Sequence, residues 1–252
     1  KSLSGQYQAD GALLISTYKN PKQLLKHGLY QANNARHSAI VTAGLDKLVP
    51  ISVASALQAY PHYQRQFNLT DAQRKPLELK MIQHVMFRDL SGQLGWADKQ
   101  LAYWQDATVI EQRIRYALAK QQWPLALQWI ERLPDEAKNH ERWLYWQARL
   151  NKKAGRDQAA NVFFAEVAKE RSYYGFLSAQ QLGVPYSLNI QRVKLDKNVI
   201  REQLPVLARI NELFYQGADG IARAEWGHLI SREPKPIVDQ VGQYALEQGA
   251  SV

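Results

Sequence analysis

The chain has 252 residues, 46% of them hydrophobic and 22% charged, enough for one large domain or two ordinary ones around a sizeable core. Seven Trp, 13 Tyr and 6 Phe exclude a disordered chain, and the absence of Cys excludes disulfides, thiol nucleophiles and Cys-ligated zinc. Thirty-two Lys and Arg against 23 Asp and Glu leave a net charge of +9, which favours nucleic acid, anionic membrane or an acidic cell-wall polymer as partner. The surplus reads as spread along the chain rather than gathered in a tail. No window approaches the length of apolar run that crosses a membrane. The start, Lys1-Ser2-Leu3-Ser4, has neither an initiator Met nor an apolar signal core, so a targeting peptide is expected to be removed or never included.

Helical periodicity dominates and strand-type alternation is nearly absent. Asn20 and Pro21 read as N-cap and first-turn proline of a helix through Leu24, Leu25 and Leu29. Thr70 with Gln73 forms a capping-box pattern before Leu77, Ile82, Val85 and Met86, and Thr108 with Glu111 repeats it before Ile110, Ile114, Ala117 and Leu118. Next come a helix carrying Leu125, Trp129, Ile130 and Leu133, closed by Pro134, and one carrying Trp143, Trp146, Gln147 and Leu150. Ala154-Gly155-Arg156 turns that helix into a fourth, with Ala160, Phe163, Phe164 and Val167 as its inner stripe.

Sliding the sequence by about 33 residues pairs Ala117 with Leu150, Gln122 with Gly155, Ala126 with Ala159 and Ile130 with Phe163, close to the tetratricopeptide period. A degenerate third copy is expected around Asn211–Ile230, with Gly217 and Gly220 at its turn, then Ala222 and Trp226. The predicted fold is all-α, an α-solenoid or superhelix of stacked, tetratricopeptide-like hairpins. The array is placed at residues 1–182 and further helices at 207–252. Residues 183–206 are expected to be an ordered connector, with Arg192–Asp196 extended.

Candidate chemistry is sparse. The six His are scattered without metal-ligand spacing, so no metal and no cofactor is expected. Phosphate-binding glycine motifs and the Gly-x-Ser-x-Gly elbow are missing. Glu166 with Glu170, and Glu131 with Asp135, lie among Lys and Arg as on a solvated helix face, so catalytic residues are expected to be none. Aromatic side chains crowd residues 96–174. Trp129, Trp143 and Phe163 fall on apolar stripes and read as packing. Trp123 and Tyr145 fall off them and are the candidates for substrate contact.

The stretch Glu141-Arg142-Trp143-Leu144-Tyr145-Trp146-Gln147-Ala148, followed by Ala154-Gly155-Arg156, resembles the superhelical region of soluble lytic murein transglycosylases. Arg171-Ser172-Tyr173-Tyr174-Gly175-Phe176-Leu177, Leu182-Gly183 and Ala222-Arg223-Ala224-Glu225-Trp226 add to the resemblance. It implies a periplasmic peptidoglycan enzyme whose catalytic Glu, followed by Ser, lies in a C-terminal lysozyme-like domain that cleaves the MurNAc–GlcNAc β-1,4 bond to a 1,6-anhydro end. Neither Glu-Ser nor Asn-Ala-Gly occurs here, so the chain is expected to be the scaffold without that domain. Expected partners are peptidoglycan glycan strands and cell-wall synthesis proteins, with no nucleic acid. The competing readings are a tetratricopeptide-like protein-binding adaptor and, last, a basic helical-repeat RNA binder.

Overall fold

The structure, a computed structural model, describes residues 5–189 and 193–247. Among the described residues every regular element is helical, in keeping with the all-α fold the sequence predicts. The chain divides into two compact units, Lys1–Ser187 and Leu188–Val252.

The first unit begins with α1 (Gly5–Lys19) and two short 3-10 turns, Pro21–Leu25 and His27–Leu29. These turns replace the helix expected after Asn20, whose side chain caps nothing. The physical reason lies in the core: Leu24 is fully buried, and its carbonyl accepts the Tyr63 hydroxyl at 2.8 Å instead of a helical N–H. Next come α2 (Ala35–Ile51), α3 (Val53–Gln66) and α4 (Asp71–Phe87). The expected partnership at the start of α4 is present, with Thr70 N–H donating to Gln73 Oε1 at 3.0 Å. α5 (Leu94–Trp104) and α6 (Ala107–Ala119) follow. At α6 the expected Thr108–Glu111 box gives way to Asp106, whose carboxylate accepts the Val109 N–H at 3.1 Å. Glu111 is engaged elsewhere, by Trp143 Nε1 at 3.2 Å and Arg115 Nη2 at 2.7 Å.

The remaining helices of this unit are α7 (Trp123–Glu131), the single turn α8 (Asp135–Lys138), α9 (Glu141–Lys153), α10 (Asp157–Val167) and α11 (Tyr173–Leu182). The repeat is visible in their turns. Gln121 and Gly155 lie at φ +57° and +74°. In each case the next N–H reaches back five residues: Gln122 to Ala117 O and Arg156 to Asn151 O, both at 2.9 Å. This closes each helix with the same left-handed cap. Ala126 and Ala160, five residues beyond, are both fully buried where paired helices meet. The offset is therefore 34, one more than the sequence pairing, which had set exposed Ala159 against Ala126.

Residues 184–189 and 193–196 are non-helical, and residues 190–192, including the expected extended Arg192, lie outside the described residues. The connector was expected to reach 206, but α12 (Lys197–Tyr215) already starts after Asp196, whose carboxylate accepts the Asn198 N–H at 2.8 Å. Pro205 does not break it, because it lies on the exposed face while Gln203 and Leu207 point inward. α13 (Asp219–Arg232) and α14 (Lys235–Glu247) complete the second unit. Leu207, Ile210, Leu229 and Val241 form its core, with Trp226 packed against them. Gly217 at φ +72°, the Ala218 N–H to Leu213 O bond at 2.9 Å and buried Ala222 reproduce the hairpin turn, as expected of the third copy. Gly220 is helical instead.

Buried polar groups tie neighbouring helices together. Glu78 is 1% exposed and accepts Trp104 Nε1 at 2.7 Å, Arg74 Nε at 3.2 Å and the Tyr60 hydroxyl. Arg113, also 1% exposed, makes a two-pronged pair with Asp98 at 2.6 and 3.0 Å. Charge is partitioned between the units: residues 1–187 hold 24 Lys and Arg against 15 Asp and Glu, whereas residues 188–252 hold 8 of each. The surplus is thus spread along the first unit only, not along the whole chain.

Candidate functional site

α7 and α9 are neighbours in the first unit, and between them lies a cleft of about 570 Å³. Trp123 opens α7 because Pro124 follows it, a residue suited to a helix start where no N–H partner is needed. Its ring is half-buried at the cleft mouth, and Leu127 lies one turn further along the wall. The end of α9 supplies Leu150 and Lys153, and the left-handed turn at Gly155 swings Arg156 in from the far side.

The charged groups are well defined. Lys153 Nζ lies 4.9 Å from the Trp123 ring centroid, within cation–π range. Arg156 Nε donates to Asn151 Oδ1 at 2.7 Å, while Asn151 Nδ2 donates to the Gln147 carbonyl at 2.8 Å. Asn151 is buried and bonded through both its amide oxygen and its amide nitrogen, so it orients the guanidinium. Glu131 and Gln128 line the opposite wall. Two cations against one carboxylate leave the cleft net positive. Its size is that of a small-molecule pocket, and its aromatic wall beside fixed cations suits a flat, partly apolar, anionic ligand.

The two contact candidates from the sequence have different fates. Trp123 borders this cleft. Tyr145 does not: it is 5% exposed, with its ring 5.3 Å from Tyr174 and 5.9 Å from Phe164, and its hydroxyl accepts from Arg149 at 3.2 Å. It lay off the Trp143–Leu150 stripe because α9 buries two faces. Trp143 and Leu150 join the core that extends back to α2, while Tyr145 and Ala148 join the one shared with α10 and α11. Lys153 and Arg156 were not singled out as contacts in the sequence. The signal for them was the repeat itself, which sets the turn after one helix beside the start of the previous hairpin's second helix.

The carboxylates weighed for catalysis are held otherwise. Glu166 pairs with Lys169 at 2.5 Å, and both Glu166 and Glu170 border a cleft of about 290 Å³ with Glu141, which accepts the Ser172 hydroxyl. Asp135 is pulled below the ordinary carboxylate range by its hydrogen bond to Lys138. That shift is opposite to what a general acid needs. Among the described residues no group of three or more His, Cys, Asp or Glu side chains could hold a metal ion.

Comparison with known proteins defines the class first. Residues 201–250 match the soluble lytic murein transglycosylase L domain. Over 98% of its length the chain is 27% identical to a soluble lytic murein transglycosylase of Salmonella typhimurium, and over 97% it is 27% identical to that of Escherichia coli. The chain spans about two-fifths of the length of these curated relatives, 38% and 39% respectively. The 70-kDa soluble lytic transglycosylase from Escherichia coli superposes over 96% of this chain and 40% of its own, with a TM-score of 0.65 and 27% identity. An inactive mutant of lytic transglycosylase Slt from Pseudomonas aeruginosa covers the same shares, with a TM-score of 0.62 and 25% identity. The resemblance read from the Glu141–Arg156 and Arg171–Leu177 motifs therefore holds over nearly the whole chain, and the protein is related to the soluble lytic murein transglycosylases.

Proposed function

We propose that this chain is a non-catalytic, periplasmic scaffold segment of a peptidoglycan lytic transglycosylase and helps to hold glycan strands. The observation that carries the reading is the near end-to-end similarity to proteins named as murein transglycosylases. Charge supports it: the whole +9 surplus lies on residues 1–187, and peptidoglycan carries carboxylates on its stems and lactyl groups. No helix of the described residues is long and apolar enough to cross a membrane.

Co-sedimentation with purified sacculi at low and moderate salt tests the reading, with soluble muropeptides assayed in the same supernatant. The expected result is salt-sensitive pelleting with no release of anhydro-muropeptides. Absence from the pellet at both salts overturns the glycan-holding role, and release of anhydro products overturns the non-catalytic one. Capture of a peptide partner without pelleting would favour the adaptor reading instead.

A further inference from the structure

We infer that the cleft between α7 and α9 is a subsite for a single carboxylate-bearing amino-sugar ring, seated against Trp123 with its carboxylate held by Lys153 and Arg156. This rests on the glycan-holding reading and adds to it a place and a chemical selectivity. A pyranose has one face of C–H bonds, which packs on an aromatic ring as other apolar surface does. Trp123 offers a half-buried indole, with Leu127 and Leu150 extending the apolar floor.

The polar groups complete the fit. Lys153 is steered over the indole at 4.9 Å, and Arg156 is pinned by buried Asn151 at 2.7 Å. Neither is ion-paired to a carboxylate among the described residues. A guanidinium already oriented by one hydrogen bond loses less conformational freedom when it takes an anion than a free one does. Gln128 adds an amide that can meet an N-acetyl group or a ring hydroxyl. Glu131, across the cleft, opposes a second carboxylate and so limits the ligand to one.

The test uses the whole chain and the methyl glycosides of N-acetylmuramic acid and N-acetylglucosamine, which differ by the lactyl ether and its carboxylate. Binding is read from the indole N–H resonance of Trp123, assigned with Trp123→Phe. The muramic glycoside is expected to shift that resonance and to bind about fivefold more tightly than the neutral sugar, the discrimination of a well-placed but solvent-screened charge pair. Lys153→Gln and Arg156→Gln, both at exposed positions, are each expected to weaken it about threefold, and Glu131→Gln to tighten it about twofold.

Equal affinity for the two sugars, weakening by Glu131→Gln, or a stronger shift with a uridine oligonucleotide overturns the proposal. If the chain pellets with sacculi yet the muramic glycoside leaves Trp123 unmoved, the subsite is wrong and the holding role stands. A selective shift without pelleting supports the subsite and overturns the holding role.

Discussion

Replacing Asp98 by Asn tests how the first unit is held together. The Arg113 side chain is 1% exposed and Asp98 28% exposed, and two hydrogen bonds of 2.6 and 3.0 Å join them. The third guanidinium nitrogen, Nη1, is buried without a partner. Asparagine keeps one acceptor but turns an N–H donor towards Arg113, leaving the buried charge uncompensated. Breaking a buried pair from one side costs about 3–5 kcal/mol. Taking m as about 2.5 kcal/mol/M, the urea midpoint should fall by about 1.5 M. Tryptophan fluorescence is a suitable probe, because six of the seven Trp residues lie in the first unit. Arg113→Met should cost less, since the partly exposed Asp98 can regain water, and the paired change Arg113→Met with Asp98→Leu should recover most of the loss. A drop below about 1 kcal/mol for Asp98→Asn, or an equal drop for both single variants, would refute the argument.

Other outcomes follow from the same contacts. Gly175→Ala should cost about 3 kcal/mol or more by urea denaturation, because a Cβ there would stand 1.9 Å from the Glu170 carbonyl oxygen and force α11 away from the end of α10. Gly155→Ala should cost only about 1 kcal/mol, since the space is open and the penalty is the left-handed backbone alone. Tyr60→Phe should cost about 1–3 kcal/mol by removing a hydroxyl donor from the buried Glu78 carboxyl group. Partial burial, with Lys80 and Arg88 beside it, holds the His84 pKa below its usual range, and partial desolvation together with His62, 4.0 Å away between ring centroids, does the same for the exposed His27. A histidine depressed in the folded state binds its proton more readily when unfolded. Stability should therefore be full above about pH 6.5 and decline as pH falls below that value, and His27→Gln with His84→Gln should flatten the decline in thermal melts.

Much of the fold was legible because helical repeats write local signals. Gly155 and Gly217 announce left-handed caps, and Ala126, Ala160 and Ala222 mark close helix contacts at a constant distance from each turn. The misses share one physical origin, in that tertiary partners outbid local ones. Glu111 looked like a capping residue for its own helix but serves Trp143 on the next hairpin. The segment after Asn20 looked helical, yet Tyr63 takes the Leu24 carbonyl. A single stripe was assumed for α9, whereas a helix inside a stack is covered on two sides, and so Tyr145 is core. Pro205 looked like an interruption but sits on the outer face of α12. The candidate site was half legible: Trp123 stood out, while Lys153 and Arg156 are brought to it only by the stacking of one hairpin on the next.

The central claim, that this chain holds peptidoglycan through a basic first unit, is tested most directly by binding isotherms on sacculi and on chitin, a neutral polymer of N-acetylglucosamine, at two salt concentrations. Retention on sacculi that weakens with salt, with little retention on chitin, is the predicted result. Equal retention on both polymers, or none on sacculi at either salt, would contradict it.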